Sequence, residues 1–362
     1  MKILHFLYDH MGNPWVGGGG AVRAEEINKR LAARHKITVI SGMYPGAKDY
    51  VTHEGISHIF LGSSRNNYIA STFCYAAKAA AYLRKKADEA DIIIEDFAPW
   101  NPVFSFIGIK KPAILQLHHK EANLFSRFFV FGLPFAALQG IYPRFFKNII
   151  TVSKRTAEHF ALKNAAIISN GIDETLLKTN QPEGDYVLFI GRLHIFNKGL
   201  DILLDAAHDI NTKILIAGKG PDEEKIKEAI KEKSLEEKVI LAGFLTETQK
   251  RDILARAKLF VLPSRYEGQG IVVLEAAACG KPVVVNDIPE LRFAVENRFG
   301  LAFKKDAPQA LACQVNKLLD DQSARSQMAE NGRAFAAGYT WEKITEEFEG
   351  FLISCASLRS AG

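Results

Sequence analysis

Short apolar runs alternate with helical patterns along this chain, and the alternation is played through twice. The first series reads KILHFL, the helix pattern AVRAEEINKRLAARH, KITVIS, a second helix TFCYAAKAAAYLRKKADEA, then DIIIEDF, AILQLH and NIITVS. The second begins at residue 186 with YVLFIGR. It continues through GLDILLDAAHDI, KILIAGKG, DEEKIKEAIKEKS, VILAGF, TETQKRDILARA, LFVLPS, GIVVLEAAACG and PVVVND. Strand and helix in turn is the rhythm of a parallel sheet with helices on both faces. Between the series lies TNQPEGD, polar and carrying Pro and Gly, which reads as a linker.

The expected fold class is therefore α/β, with a first domain over 1–178, a linker over 179–185 and a second domain over 186–340. A chain of 362 residues with 48% apolar composition has enough material for two cores. The stretch YTWEKITEEFEGFLISCA has the spacing of an amphipathic helix, so 341–362 is expected to close back on the first domain. Two open sheets of Rossmann type would turn their strand ends toward one another across a cleft, because ligands bind at those ends and at topological switch points.

Charge separates the two halves. Residues 1–178 hold 22 Lys and Arg against 14 Asp and Glu, while the remainder of the +5 chain is net acidic. A basic first half fits either an anionic partner or a solvated surface. Cys74, Cys279, Cys313 and Cys355 lie far apart with no CxxC, so neither a metal site nor a disulfide scaffold is signalled and reduced cytoplasmic thiols are expected. The N-terminal MKILHFLYDH is too short and polar-flanked for a signal peptide and reads as a first strand. The most apolar stretch, 123–148, is broken by Gly132, Pro134, Gly140 and Pro143 and is too short between Arg127 and Arg144 to span a bilayer.

Several loops carry groups suited to chemistry. GRLHIFNKGLDILLDA sets Arg192 and Lys198 between a strand and a helix, where two cations and a helix N-terminus suit a diphosphate. No GxxxxGK[ST] occurs, which disfavours P-loop phosphoryl transfer. PSRYEGQGIVVLEAAACGKPVV places Glu267 beside Gly268, Gln269 and Gly270, then opens a helix at about Gly270 that carries Glu275. Two carboxylates in one segment suggest either a glycosidase pair or two separate tasks. With the second ~8 Å along the helix by its rise per residue, and a retaining hydrolase needing its carboxyls about 5–5.5 Å apart, separate tasks are favoured. Backbone N–H groups at that helix start suit phosphate or sugar hydroxyls, and a carboxylate one or two turns in suits a ribose diol. The run Gly17, Gly18, Gly19, Gly20 follows the first strand but is no G-x-G-x-x-G, so a dehydrogenase is excluded and close approach to another ligand is expected. His118 and His119 follow the strand AILQL, at its ligand-facing end. Asn170-Gly171 marks a turn, and Gly218 in GKGP a further glycine loop.

Taken in order, the glycine loop, the His near 118, TVSKRT, SNGID, GRL…NKG, GKGPDEEK and SRYEGQGIVVLEAAACGKPVV resemble the family 4 (GT4) glycosyltransferases over about residues 1–350. The resemblance implies the two-domain GT-B fold and retaining hexosyl transfer from a nucleotide-diphosphate sugar, a UDP- or GDP-sugar, with no metal and no cofactor required. It implies that Arg192 and Lys198 hold the donor diphosphate and Glu275 the ribose. Glu267 and the backbone of Gly268, Gln269, Gly270 and Ile271 then face the donor sugar, with Gly218 and Phe244 also at the donor. His118 would lie beside the anomeric centre, and Gly17 to Gly20 near phosphate or acceptor. Gln269 stands where the family commonly has an aromatic residue, so no sugar preference carries over.

The first half is the acceptor half in this fold, and the acceptor is expected to be a glycan or lipid-linked saccharide of cell-envelope polysaccharide biosynthesis. Seven of the 24 phenylalanines fall in 123–148. They either meet an anionic membrane surface, making the enzyme peripheral at the inner face, or pack the first domain's core. A GT-B sugar-nucleotide epimerase is the alternative activity, a non-catalytic binding module a further class, and nucleic acid is not an expected partner.

Overall fold

The computed structural model describes residues 1–119 and 133–357. It divides into two compact units. One runs from Met1 to Asn170 and resumes at Glu342, and the other is Gly171–Trp341.

The first unit is built on an eight-stranded sheet of order β3-β4-β2-β1-β5-β6-β7-β8. Its strands are β1 (Lys2–Phe6), β2 (Lys36–Gly42), β3 (Tyr50–His53), β4 (Ile56–Leu61), β5 (Ile92–Asp96), β6 (Ala113–Leu117), β7 (Asn148–Thr151) and β8 (Ala166–Ile167). All neighbours pair in parallel except β3 with β4. That hairpin is absent from the sequence-based expectation. It turns through Glu54 and Gly55, both at positive φ, the backbone that a two-residue hairpin loop needs.

The second unit has a fully parallel six-stranded sheet of order β11-β10-β9-β12-β13-β14. These are β9 (Tyr186–Ile190), β10 (Lys213–Ala217), β11 (Val239–Gly243), β12 (Leu259–Leu262), β13 (Val283–Asn286) and β14 (Gly300–Phe303). Every residue of β12 and β13 is buried, as the LFVL and VVVN runs require when helices cover both faces. Counted along the unit this is the 3-2-1-4-5-6 order of dinucleotide-binding sheets, which puts its switch point between β9 and β12. Leaving β3 and β8 aside, the first unit repeats the order with its switch point between β1 and β5.

The segment 179–185 lies inside the second unit, and the division falls ahead of it. Ile172 bridges Thr340, its N–H donating to Tyr339 O at 2.8 Å, so residues just after Asn170 already belong to the second unit. The last helix, Trp341–Ser357, packs in the first unit. There Glu342 takes Arg30 at 2.6 Å, and Glu349 takes Arg34 and, at 2.6 Å, His35. Among the described residues no helix is long and apolar enough to cross a membrane.

Candidate active site

In the second unit the loop leaving β9 carries Arg192 and a short helix, Ile195–Lys198, which Gly199 ends in the left-handed conformation. A Cβ on Gly199 would stand 2.0 Å from Pro263 O, so only glycine lets this turn press on the chain leaving β12. Arg265 fastens the contact. Its N–H donates to Asn197 O at 2.9 Å, and its guanidinium reaches Phe196 O, both oxygens of Asp201, and Asp306. The result is a Lys198 Nζ to Glu267 Oε1 pair at 2.6 Å. Two residues singled out from separate motifs thus meet at the switch point.

Gly270, at φ 76°, is the N-cap of the helix Ile271–Ala278, and no side chain caps that end. The helix begins at Ile271 rather than at Gly270, which shortens the climb to Glu275 by one residue. Bare N–H groups at its first turn and the positive end of its dipole suit an anion. Glu275 is 6% exposed. Its Oε1 pairs with Lys250 Nζ at 2.9 Å, and its Oε2 has no hydrogen-bond partner. Burial pushes this carboxyl above the usual range, against the pull of Lys250. Glu267 and Glu275 therefore sit in separate ion pairs, each with its own lysine.

The GKGP loop buttresses the Arg192 loop. Cβ atoms on Gly218 and Gly220 would lie 1.9 Å from Gly191 O and 2.3 Å from Leu193 O, and Leu193 N–H donates to Lys219 O at 3.0 Å. Phe244, just past β11, is 67% exposed, with Lys219 Nζ 4.5 Å from its ring centre. Arg192, Gly268 and Gln269 are half-buried.

In the first unit the helix Gly19–Leu31 starts inside the glycine run. Its N-cap Gly18 has its own N–H held by Asp9 Oδ2 at 3.2 Å. Gly17 is crowded by the carbonyls of Met11 and Asn13, at 3.3 Å from a Cβ. Gly18 and Gly20 are not crowded: the nearest atoms to their Cβ positions are 3.8 and 3.7 Å away, ordinary contacts. For Gly20 that neighbour is the His118 ring. His118 is half-buried and turned inward, and His119 is exposed.

Behind His118 lies a buried polar network. Asp96, at the end of β5, has Oδ2 3.5 Å from His118 Nε2 and 3.2 Å from His5 Nε2, and Oδ1 accepts Gln116 at 2.6 Å. Burial alone would raise the Asp96 carboxyl. The two imidazoles outweigh burial and hold it well below the carboxylate range. The fully buried Arg23 donates to the carbonyls of Ile168, at 2.9 Å, and Ser169. Sequence reading passes over Asp96, Arg23, Lys250 and Arg265, because each acts through a partner distant in the chain.

Residues 123–132 of the apolar stretch lie outside the described residues. Its remainder divides. Tyr142 and Phe146 pack with Phe97, Phe104 and Phe106, whereas Leu133, Ile141 and Phe145 are exposed and the polar Gln139 is buried. A grouping of Glu25, His53 and Glu54 brings possible metal-ligand atoms within 4.8 Å of one another, but none of the candidate donor or acceptor residues takes part.

Comparison with known proteins covers both units. The family described as "Glycosyl transferases group 1" matches residues 173–335, and "Glycosyltransferase Family 4" matches 17–176. An uncharacterized glycosyltransferase of Methanocaldococcus jannaschii is 31% identical, the match covering 64% of this chain and 65% of the relative, just under two thirds of its length. A GDP-mannose:cellobiosyl-diphosphopolyprenol alpha-mannosyltransferase of Xanthomonas oryzae pv. oryzae is 30% identical over 96% of this chain and 95% of the relative. Two solved structures share the fold at identities too low to say more. Sucrose-phosphate synthase from Thermosynechococcus elongatus has a TM-score of 0.82 at 19% identity, covering 100% of both chains. Anabaena HepE, in complex with UDP and glucose, has a TM-score of 0.75 at 21% identity, covering 98% of this chain and 100% of that one.

Proposed function

This chain belongs to the family 4 glycosyltransferases, with the GT-B fold, and on that premise we propose that it is a retaining hexosyltransferase using a UDP- or GDP-sugar. The observation that carries the donor reading is the 2.6 Å pair of Lys198 with Glu267. It joins the loops leaving β9 and β12, where a doubly wound sheet takes its ligand.

Arg192, Lys198 and the uncapped head of Ile271–Ala278 take the donor diphosphate, Lys198 giving up part of its pairing with Glu267 to the phosphate oxygens. Glu267 and the backbone from Gly268 to Ile271, with Gln269, face the donor sugar. Gly218 and Phe244 border the nucleotide, and Glu275 accepts the ribose hydroxyls. In the transfer the bond from sugar C1 to the diphosphate breaks and a bond from C1 to the acceptor oxygen forms on the same face. The hydroxyl proton leaves with the diphosphate. Negative charge gathers on that leaving group, where fixed cations and a helix dipole stabilise it more than they stabilise the bound substrate.

The first unit supplies His118 beside the anomeric centre and the Gly17–Gly20 run for phosphate or acceptor. The room beside Gly18 and Gly20 that no protein atom requires supports that reading. The acceptor is a glycan or lipid-linked saccharide of cell-envelope polysaccharide synthesis, a reading supported by the diphosphopolyprenol acceptor named for the Xanthomonas relative. Exposed Leu133, Ile141 and Phe145, beside Arg144 and Lys147, suit an anionic membrane at its cytoplasmic face.

Thermal shift against UDP, GDP and ADP and their sugars tests the donor assignment. A nucleotide at about 100 times its Kd stabilises the fold it binds by about 2.7 kcal/mol. A rise with UDP or GDP is expected, and a flat response to all of them would overturn the reading.

A further inference from the structure

Lys250 has no place in the scheme above, yet it pairs with a buried carboxylate that does. It lies in the first turns of the helix Glu247–Arg256, which Thr246 and Gln249 begin with a reciprocal capping box. That cap fixes the helix start, and Lys250 N–H continues it by donating to Thr246 O at 2.8 Å. From this anchored backbone the ammonium reaches the exposed Glu247 at 2.8 Å and the buried Glu275 at 2.9 Å. Burial works to lower the Lys250 pKa, and the two carboxylates outweigh it and hold the ammonium above lysine's ordinary value.

The two oxygens of Glu275 are thereby made unequal. Oε1 is occupied by Lys250, and Oε2 is buried with no donor in the protein. A buried acceptor left unmatched destabilises a fold by about 1–3 kcal/mol, so such groups are uncommon and call for a cause. Burial favours a proton on this carboxyl and Lys250 opposes it, and a proton on either oxygen would make the group a donor as well as an acceptor. With Oε1 taken by Lys250, the lone pairs left to offer are those on Oε2.

We propose that Lys250 is a positioning residue for nucleotide recognition, taking Oε1 of Glu275 so that the side chain is held with Oε2 turned to accept the ribose hydroxyls. This rests on the assignment of Glu275 to the ribose. Lys250 itself touches no ligand atom in this scheme, and its effect is confined to the contact that Glu275 makes.

The test is a titration calorimetry comparison of UDP and GDP, each against its 2′,3′-dideoxy analogue, on the full chain. Wild type is expected to prefer the ribonucleotide by about tenfold or more, the worth of one charge-assisted hydrogen bond. Lys250→Met should bind the ribonucleotide no better than the dideoxy form, with dideoxy affinity unchanged. Lys250→Arg should restore part of the preference. Lys250→Gln replaces the Met variant if that one does not fold. A Met or Gln variant that keeps the full preference overturns the role of Lys250 alone. A wild type that binds a nucleotide without preference overturns the ribose assignment and this proposal with it, and a wild type that binds neither nucleotide overturns the donor reading.

Discussion

Particular glycines in the ligand-side loops of the first and second units are used in different ways. In the second, Gly199, Gly218 and Gly220 let backbone lie directly on backbone, with carbonyl oxygens 1.9–2.3 Å from where a Cβ would be. In the first, Gly18 and Gly20 have the room a methyl group would need and leave it open. The second unit thus has a site assembled by its own packing, with Lys198 on Glu267 and Lys250 on Glu275. The first has a polar network behind its loop and, beside Gly18 and Gly20, room for a Cβ at ordinary contact distance. A glycine motif alone does not distinguish a packing device from a surface shaped for a ligand; the neighbouring atoms do.

Substitutions can break this contrast. The largest effect is expected at Gly218→Ala, where a Cβ meets Gly191 O at 1.9 Å on a backbone at φ 140°. Overpacking and backbone strain together should destabilise the second unit by about 3 kcal/mol or more. Calorimetry should show the second unit's transition moving down while the first unit's stays in place, and unchanged transitions would remove the packing explanation. Next comes Lys198→Ala, expected to lower turnover about 100-fold, or ~2.7 kcal/mol of activation free energy, with the melting profile kept. Wild-type turnover in that variant would detach Lys198 from the leaving group. The smallest is Gly20→Ala, which fits its space and adds helix propensity, so stability should hold or rise by up to about 1 kcal/mol. If the open room belongs to a ligand, turnover still falls. Full activity in the Gly20→Ala variant would show that the space is unused.

The parallel sheets are legible in the sequence because buried strands leave short apolar runs, such as the III of β5 and the VVV of β13, between helical patterns. The β3–β4 hairpin is not, because YVTH is exposed throughout and Glu54-Gly55 is a weak turn signal. β14 also escapes: GLAF is short and follows a cluster of polar residues. In the site, Arg192, Lys198, Glu267 and Glu275 stand out as charges in loops or at helix starts near glycine. Asp96 and Lys250 do not. One is the polar end of an apolar strand, the other a lysine among charged helical neighbours, and each acquires meaning only from a side chain that folding brings to it.

The return of the last helix to the first unit has a consequence for synthesis. A ribosome adds residues in the N-to-C direction, so the whole of Gly171–Trp341 has been made before Glu342 and Glu349 are available to Arg30, Arg34 and His35. The unit that begins first is completed last. A message cut short just after Trp341 would therefore yield a second unit with its full complement of residues and a first unit lacking Glu342 and Glu349, the partners of its basic helix end. Damage to the helix Trp341–Ser357 is damage to the first unit.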